Sequence, residues 1–192
     1  MTATLTTPTV DRDRAIATVV AAFAADPIVR WVLPDAAGYL ATFPQTVQLM
    51  AGQAFDAGTA DVSDDHAGAA LWLAPDLTPD EEGLVELTQR AVVPERLPDV
   101  FALLEQMDEH RPDVPCWYLP FMGVDPTGQG QGLGSTLLRR GLDRCDDDHL
   151  PAYLEASSPR NRALYERHGF AVVGEIRAGD SPPLWPMTRA AR

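Results

Sequence analysis

The sequence predicts an α/β fold on one mixed sheet, and three observations carry that prediction. Hairpin signals lie on both sides of the middle of the chain, at Asp64-Asp65 and at GDSPP (179–183). Between them a nearly continuous apolar run, CWYLPFMGV (116–124), leads into a glycine-rich loop and an amphipathic helix. A second strand-then-helix pair follows, PAYLEAS (151–157) and SPRNRALYERHGF (158–170). Strand–helix alternation builds parallel strands and hairpins build antiparallel ones, so together they make a mixed sheet flanked by helices. The 192 residues suit a single domain, 1–192.

The elements follow in order. TATLTTPTV (2–10) is a candidate short strand. A first helix is expected at about 11–25, because Ile16, Val19, Val20 and Phe23 recur at helical spacing. The same stretch imitates an export signal, but Asp11 and Asp13 cancel the charge of Arg12 and Arg14, so a cytoplasmic location is expected. Asp26-Pro27 ends this helix, since a residue before proline avoids helical geometry. IVRWVLPD (28–35) reads as a connector. A second helix is expected at about 38–57, with Leu40, Phe43, Val47, Met50 and Phe55 inward and a kink at Pro44. A helical region over 79–109 breaks near Pro94 and Pro98.

In the strand at 116–124, Pro120 removes a ladder donor and predicts a bulge or an unpaired side. The helix at about 132–145 turns Leu133, Leu137, Leu138 and Leu142 inward. Ser158 caps the next helix, Pro159 takes its first position and Gly169 stops it. AVVGEIRA (171–178) and LWPMTR (184–189) form a closing hairpin.

Twenty-eight acidic residues against 15 basic ones give a net charge of −13 and no basic stripe. Nucleic acid is therefore not an expected partner. No run reaches the roughly 18 apolar residues of a membrane span, so no membrane partner is expected either. The two cysteines, Cys116 and Cys145, form neither a disulfide framework nor a metal-binding spacing, and no metal is expected. Cys116 reads as a small core residue. The anticipated state is a monomer or a homodimer.

The stretch GVDPTGQGQGLGSTLL (123–138) concentrates glycine just before a helix, where freed N–H groups suit phosphate. A P-loop requires a lysine, and none is present. A dinucleotide loop requires G-x-G-x-x-G, but Leu133 or Ser135 occupies the last position. What remains is Q-x-x-G-x-G, read over Gln129–Gly134, either as a metal-free pyrophosphate cradle or as a turn without ligand.

FMGVDP, QGQGLG and NRALYERHGF occur in that order and at fitting spacing. With these motifs the chain resembles the GNAT (Gcn5-related N-acetyltransferase) family. GAALWLAPD (68–76), EHRPDVPCWYL (109–119), PAYLEASSPRN (151–161) and WPMTR (185–189) are similar to its puromycin N-acetyltransferase-like members. That similarity covers about residues 66–189 and is loose before them.

The resemblance implies a GNAT fold whose parallel middle strands splay apart around acetyl-CoA. Acceptor-side helices fall at about 11–57 and the acyl-CoA-binding core at about 116–189. Met122, Gly123 and Val124 would bond the pantetheine arm. Gln129, Gly130, Gln131, Gly132, Leu133, Gly134 and Ser135 would hold the pyrophosphate, helped by Arg139, Arg140 and Arg162. Asn161 would meet the pantetheine arm, and Tyr165, four residues on and on the same helix face, would protonate the leaving thiolate.

Alternation in AYLEAS puts Glu155 on one sheet face with Tyr153. Burial there raises its pKa toward that of a useful base. Asp26, Trp31, Tyr39 and Trp72 are the acceptor-binding candidates, as aromatic faces and a carboxylate suit a cationic amine. The expected activity is direct acetyl transfer, in a ternary complex, to a primary amine of a small molecule, with an antibiotic or aminonucleoside as one such acceptor. A protein N-terminal or lysine acetyltransferase and a non-catalytic CoA-binding module stay open as alternatives.

Overall fold

A computed structural model describes residues 10–192. Its six strands are β1 (Ala60–Val62), β2 (Gly68–Leu73), β3 (Trp117–Val124), β4 (Ala152–Ala156), β5 (Ala171–Val172) and β6 (Trp185–Arg189). They form one sheet in the spatial order β1-β2-β3-β4-β6-β5. Every neighbouring pair is antiparallel except β3 and β4, which run parallel.

That parallel pair is short, and its shortness positions the site. β3 meets β4 only at Trp117 with Ala152 and Tyr118 with Tyr153. Beyond Tyr118, β3 stays paired to β2 as far as Val124, while β4 stays paired to β6 as far as Ala156. The C-terminal halves of the two strands are thus held apart by their outer neighbours. A bulge supplies the bend: Leu71 opposes Phe121 and Leu73 opposes Tyr118, so Trp72 faces two residues, Leu119 and Pro120. Pro120 has no N–H to lose there.

The helices are α1 (Arg12–Phe23), α2 (Pro27–Val32), α3 (Ala36–Ala51), α4 (Gln53–Asp56), α5 (Glu81–Ala91), α6 (Leu97–Glu109), α7 (Leu133–Asp147) and α8 (Pro159–Arg167). On one sheet face α1 and α3 bury Val19, Phe43 and Val47 against Leu71, Tyr118 and Tyr153. On the other, α7 buries Leu137, Leu138 and Leu142 against Trp72, Leu154 and Met187. The two faces follow from strand alternation: Ala152, Leu154 and Ala156 lie on the α7 side and Tyr153 on the other.

Several expectations change. The stretch 28–35 is no plain connector, because Asp26 accepts from the backbone N–H groups of Ile28 and Val29 and starts α2. The helix expected at 38–57 starts at Ala36, passes through Pro44 and divides into α3 and α4 at Gly52. Leu40 is 63% exposed, and its neighbour Tyr39 takes the inward position. Cys116 is half-buried at the edge of the α1 and α3 core instead of fully inside it. The candidate strand at 2–10 lies, but for Val10, outside the described residues. Among the described residues no helix is long and apolar enough to cross a membrane.

Candidate active site

The opening between the splayed strands leads into a cavity of about 520 Å³. Its floor is the end of β3, where Met122, Gly123 and Val124 line it. Its far wall is the glycine loop and the first turn of α7, and its near wall is the start of α8 with Asn161 and Leu164. Gly130 and Gly132 have φ of +80° and +85°, a region that L side chains rarely enter, and a Cβ on either would meet nothing within 4 Å. Glycine is therefore set here by backbone conformation. Gly132 precedes α7 with no side-chain cap, so the amides of Leu133, Gly134 and Ser135 keep no partner from the helix. Such a row of amides at a helix N-terminus fits a pyrophosphate.

Within this cradle the individual residues divide. Gly130, Gly132, Leu133, Gly134, Ser135 and Asn161 line the cavity as expected. Gln129 also lines it, but its side chain is spent inside the protein: Nε2 donates to the Val124 carbonyl (3.1 Å) and Oε1 accepts from Arg160 (2.8 Å). Gln131 is exposed and lies outside the cavity lining. Gly123 is glycine for α1, since a Cβ would come within 2.7 Å of the Ala22 methyl. The helpful charges are also different ones. Arg160 and Arg167 line the cavity, whereas Arg162 pairs with Glu166 (2.8 Å) and Arg139 turns to Thr136 (3.3 Å). Arg140 is exposed and outside the lining too.

The odd residues of β4 then carry a polar line across the sheet. Ser157 Oγ donates to Asp26, which lines the cavity at the glycine loop. Burial raises the Asp26 carboxyl above its ordinary value, against the hydrogen bonds from Ser157 and the α2 amides. Two residues earlier, Glu155 Oε2 accepts from the Tyr118 hydroxyl at 2.9 Å. Its other oxygen, Oε1, is buried without a protein partner. Burial pushes this carboxyl from 4.5 up to about 7, opposed by Tyr118, Tyr153 and the charge of Arg111. Glu155 can therefore change protonation near neutral pH.

Tyr165 is buried in the core on the opposite, α7 face of the sheet and lines neither this cavity nor the one under α3, α5 and α6. Its ring packs edge-on against Phe170 at 5.9 Å. Burial, and then the charge of Asp26, raise its hydroxyl well above the usual tyrosine value, so it keeps its proton. Tyr165 and Glu155 thus share no face.

A second cavity, of about 470 Å³, opens under α2, α3, α5 and α6. Val29, Phe43, Met50, Leu84, Leu104 and Phe121 give it apolar walls, and Tyr118 and Arg111 are its polar members at the sheet. Glu155 lines neither cavity, but Tyr118, its partner, lines this one.

Three acceptor candidates are corrected. Trp72 is fully buried beneath α7, where Gly141 leaves room for its indole. Tyr39 is 3% exposed and donates to the Val20 carbonyl at 2.5 Å, which makes it part of the helix packing. Trp31 donates to Asp180 (2.7 Å), carries Arg96 at 4.9 Å from its ring and lines neither cavity. Asp26 does line a cavity, but the one at the glycine loop. The residues missed, Tyr118, Arg111 and Ser157, join the site only through the sheet. Among the described residues no cluster of three or more His, Cys, Asp or Glu could hold a metal.

The acetyltransferase (GNAT) family model matches residues 101–170, from α6 through α8. An uncharacterised N-acetyltransferase of Schizosaccharomyces pombe is 32% identical over 145 residues, 65% of this chain. The aligned part spans 57% of that relative's length. An acetyltransferase of Corynebacterium glutamicum, described with histone acetyltransferase HPA2, superposes with a TM-score of 0.65 at 27% identity, covering 100% of this chain and 95% of that one. Arylalkylamine N-acetyltransferase 2 of Aedes aegypti shares the fold with a TM-score of 0.66 at 17% identity, covering 94% of each chain.

Proposed function

We propose that this chain, which is similar to GNAT acetyltransferases over residues 101–170, transfers acetyl from acetyl-CoA to a primary amine of a small molecule. The observation that carries the reading is Glu155. It is a carboxyl poised at about 7, hydrogen-bonded to a tyrosine that lines a cleft walled by helices. A cleft walled by helices favours a small acceptor over a protein chain lying in an open trough. The helices over 12–91 and α6 belong to acceptor recognition on this reading, and β3 to α8 to the donor.

Acetyl-CoA supplies the activated acetyl thioester. The open amides of Leu133 to Ser135, with Arg160 and Arg167, hold its phosphates, and the exposed end of β3 aligns its pantetheine arm. An amine attacks only when neutral, so its ammonium proton must leave. The Tyr118 hydroxyl passes that proton to Glu155 Oε2, along the hydrogen bond already present. Tyr165, kept protonated by burial, returns a proton to the departing sulfur. A thiol of pKa about 8.5 leaves without much help, so this last step is the less demanding one.

The test is thiol release from acetyl-CoA with a panel of amines that includes an aminonucleoside antibiotic, arylalkylamines, polyamines and a peptide N-terminus. Small amines are turned over, and Glu155→Gln and Tyr165→Phe both lower the rate. If both variants run at the wild-type rate with a good acceptor, the assignment of roles is wrong. If acetyl-CoA binds and no amine is acetylated, the chain is a CoA-binding module.

A further inference from the structure

The second cavity holds a cation without a partner. Arg111 follows α6, lines the cavity and stacks on the Tyr118 ring, its Cζ 4.6 Å from the centroid. Its Nε is buried without a hydrogen bond. No side-chain hydrogen bond or ion pair is made by its guanidinium among the described residues. Five other arginines pair with carboxylates: Arg12, Arg144, Arg162, Arg177 and Arg189 all do so at 2.8 Å or less. Arg111 has no such partner, and it stands half-buried beside an apolar cleft. The acids that line the same cavity, Glu81, Glu105 and Asp108, are all exposed.

Tyr118 sets the spacing. Its face carries the Arg111 cation and its hydroxyl carries the Glu155 carboxylate, so one ring separates the two charges. The apolar walls continue away from them along α3, α5 and α6. A guanidinium is a fixed fork for a carboxylate. Its buried Nε is unmet, which is costly, and a ligand anion relieves that cost.

We propose that the acceptor is a hydrophobic amino acid: its carboxylate pairs with Arg111, its amine faces Tyr118 and Glu155, and its side chain fills the apolar cleft. This rests on the acetyltransferase reading and narrows it from amines in general to amines that carry a carboxylate. The reaction forms one amide N–C bond and breaks one thioester C–S bond. The amine proton goes to Glu155 and the sulfur leaves as a thiol, so no further reactant is needed.

Three acceptors that differ in one group decide the matter: L-phenylalanine, L-phenylalaninamide and phenethylamine, assayed by thiol release and product mass. On the wild-type protein the amino acid is expected to exceed both others at least tenfold in kcat/KM. Arg111→Met is expected to raise KM for L-phenylalanine at least tenfold and to narrow its lead over phenethylamine, with Arg111→Lys recovering part of the lead. If the amide or phenethylamine matches L-phenylalanine on the wild-type protein, the proposal is overturned whatever the variants do. Should no amine react, calorimetry of L-phenylalanine and phenethylamine against the CoA-loaded protein separates the two readings. Tighter binding of the amino acid, lost in Arg111→Met, upholds the subsite although the acetyltransferase reading fails. Equal or undetectable binding of both overturns it.

Discussion

Replacing Glu155 with glutamine should change how stability depends on pH, by an amount that follows from the structure. Burial is the largest cause of the rise of this carboxyl from 4.5 to about 7. The folded protein therefore holds the proton more tightly than the unfolded chain does. The resulting stability is complete below about pH 4.5. It is lost as pH climbs through the interval and is gone above about pH 7. At 1.36 kcal/mol per pKa unit, a rise from 4.5 to about 7 is worth about 3 kcal/mol. Glutamine keeps an oxygen for the Tyr118 hydroxyl but has no charge to bury. Glu155→Gln should therefore match the wild type at about pH 5 and exceed it by about 3 kcal/mol at pH 8 and above, or roughly 5–10 °C in Tm. Denaturant titrations of both proteins from pH 5 to 9 measure this. Carboxyls held low, such as Asp146 beside Arg189, titrate alike in both proteins and cancel in the difference. A difference that stays flat across the range would refute the claim that Glu155 pays a burial penalty when ionised.

Other outcomes follow from the same geometry. Tyr118→Phe removes a hydrogen bond that holds the Glu155 pKa down, so the inflection in kcat/KM against pH should move above 7 while kcat falls. Gly132→Ala places an L side chain at φ +85°. The strain is about 1–2 kcal/mol, and calorimetry should show acetyl-CoA binding about tenfold weaker. Gly141→Ala drives a methyl into the Trp72 indole at the closest helix–sheet contact. It should cost about 1–3 kcal/mol in a denaturant titration through overpacking, with a change in Trp72 fluorescence.

What the sequence reveals of this fold is what short-range chemistry determines. Pro120 marks the bulge because a missing N–H is a local fact, and the bulge is there. Ser158, Pro159 and Gly169 bound α8 for the same reason, with Ser158 accepting from the Asn161 amide. The glycines at 130 and 132 sit at positive φ, a demand that spacing alone makes visible. Glu155 and Tyr153 share a face because a strand alternates. The misreadings have a common cause in burial. Trp72 and Tyr39 look like ligands when polar aromatics are picked out by type, yet neighbours distant in sequence close over both. Asp26 reads as a helix breaker with its proline, and the same geometry makes it the cap of α2.

The division between the visible and the hidden half of the site has a physical basis. The donor side is made of backbone: open amides, a strand end and a helix start, which two turns of contiguous sequence can specify. The acceptor side is made of side chains gathered from five elements. The Tyr118–Glu155 bond, for one, spans 37 residues. The family model follows this division, since it begins at residue 101 and leaves α1 to α5 unmatched. Val29, Phe43, Met50 and Leu84 are cavity walls from that unmatched part. The two cavities share β3, with Met122 to Val124 in the first and Tyr118 and Phe121 in the second, but the glycine loop lines only the first and α3, α5 and α6 only the second. If the proposed function holds, acceptor specificity is to be sought in the helical walls and in the charge of Arg111, not in the glycine loop.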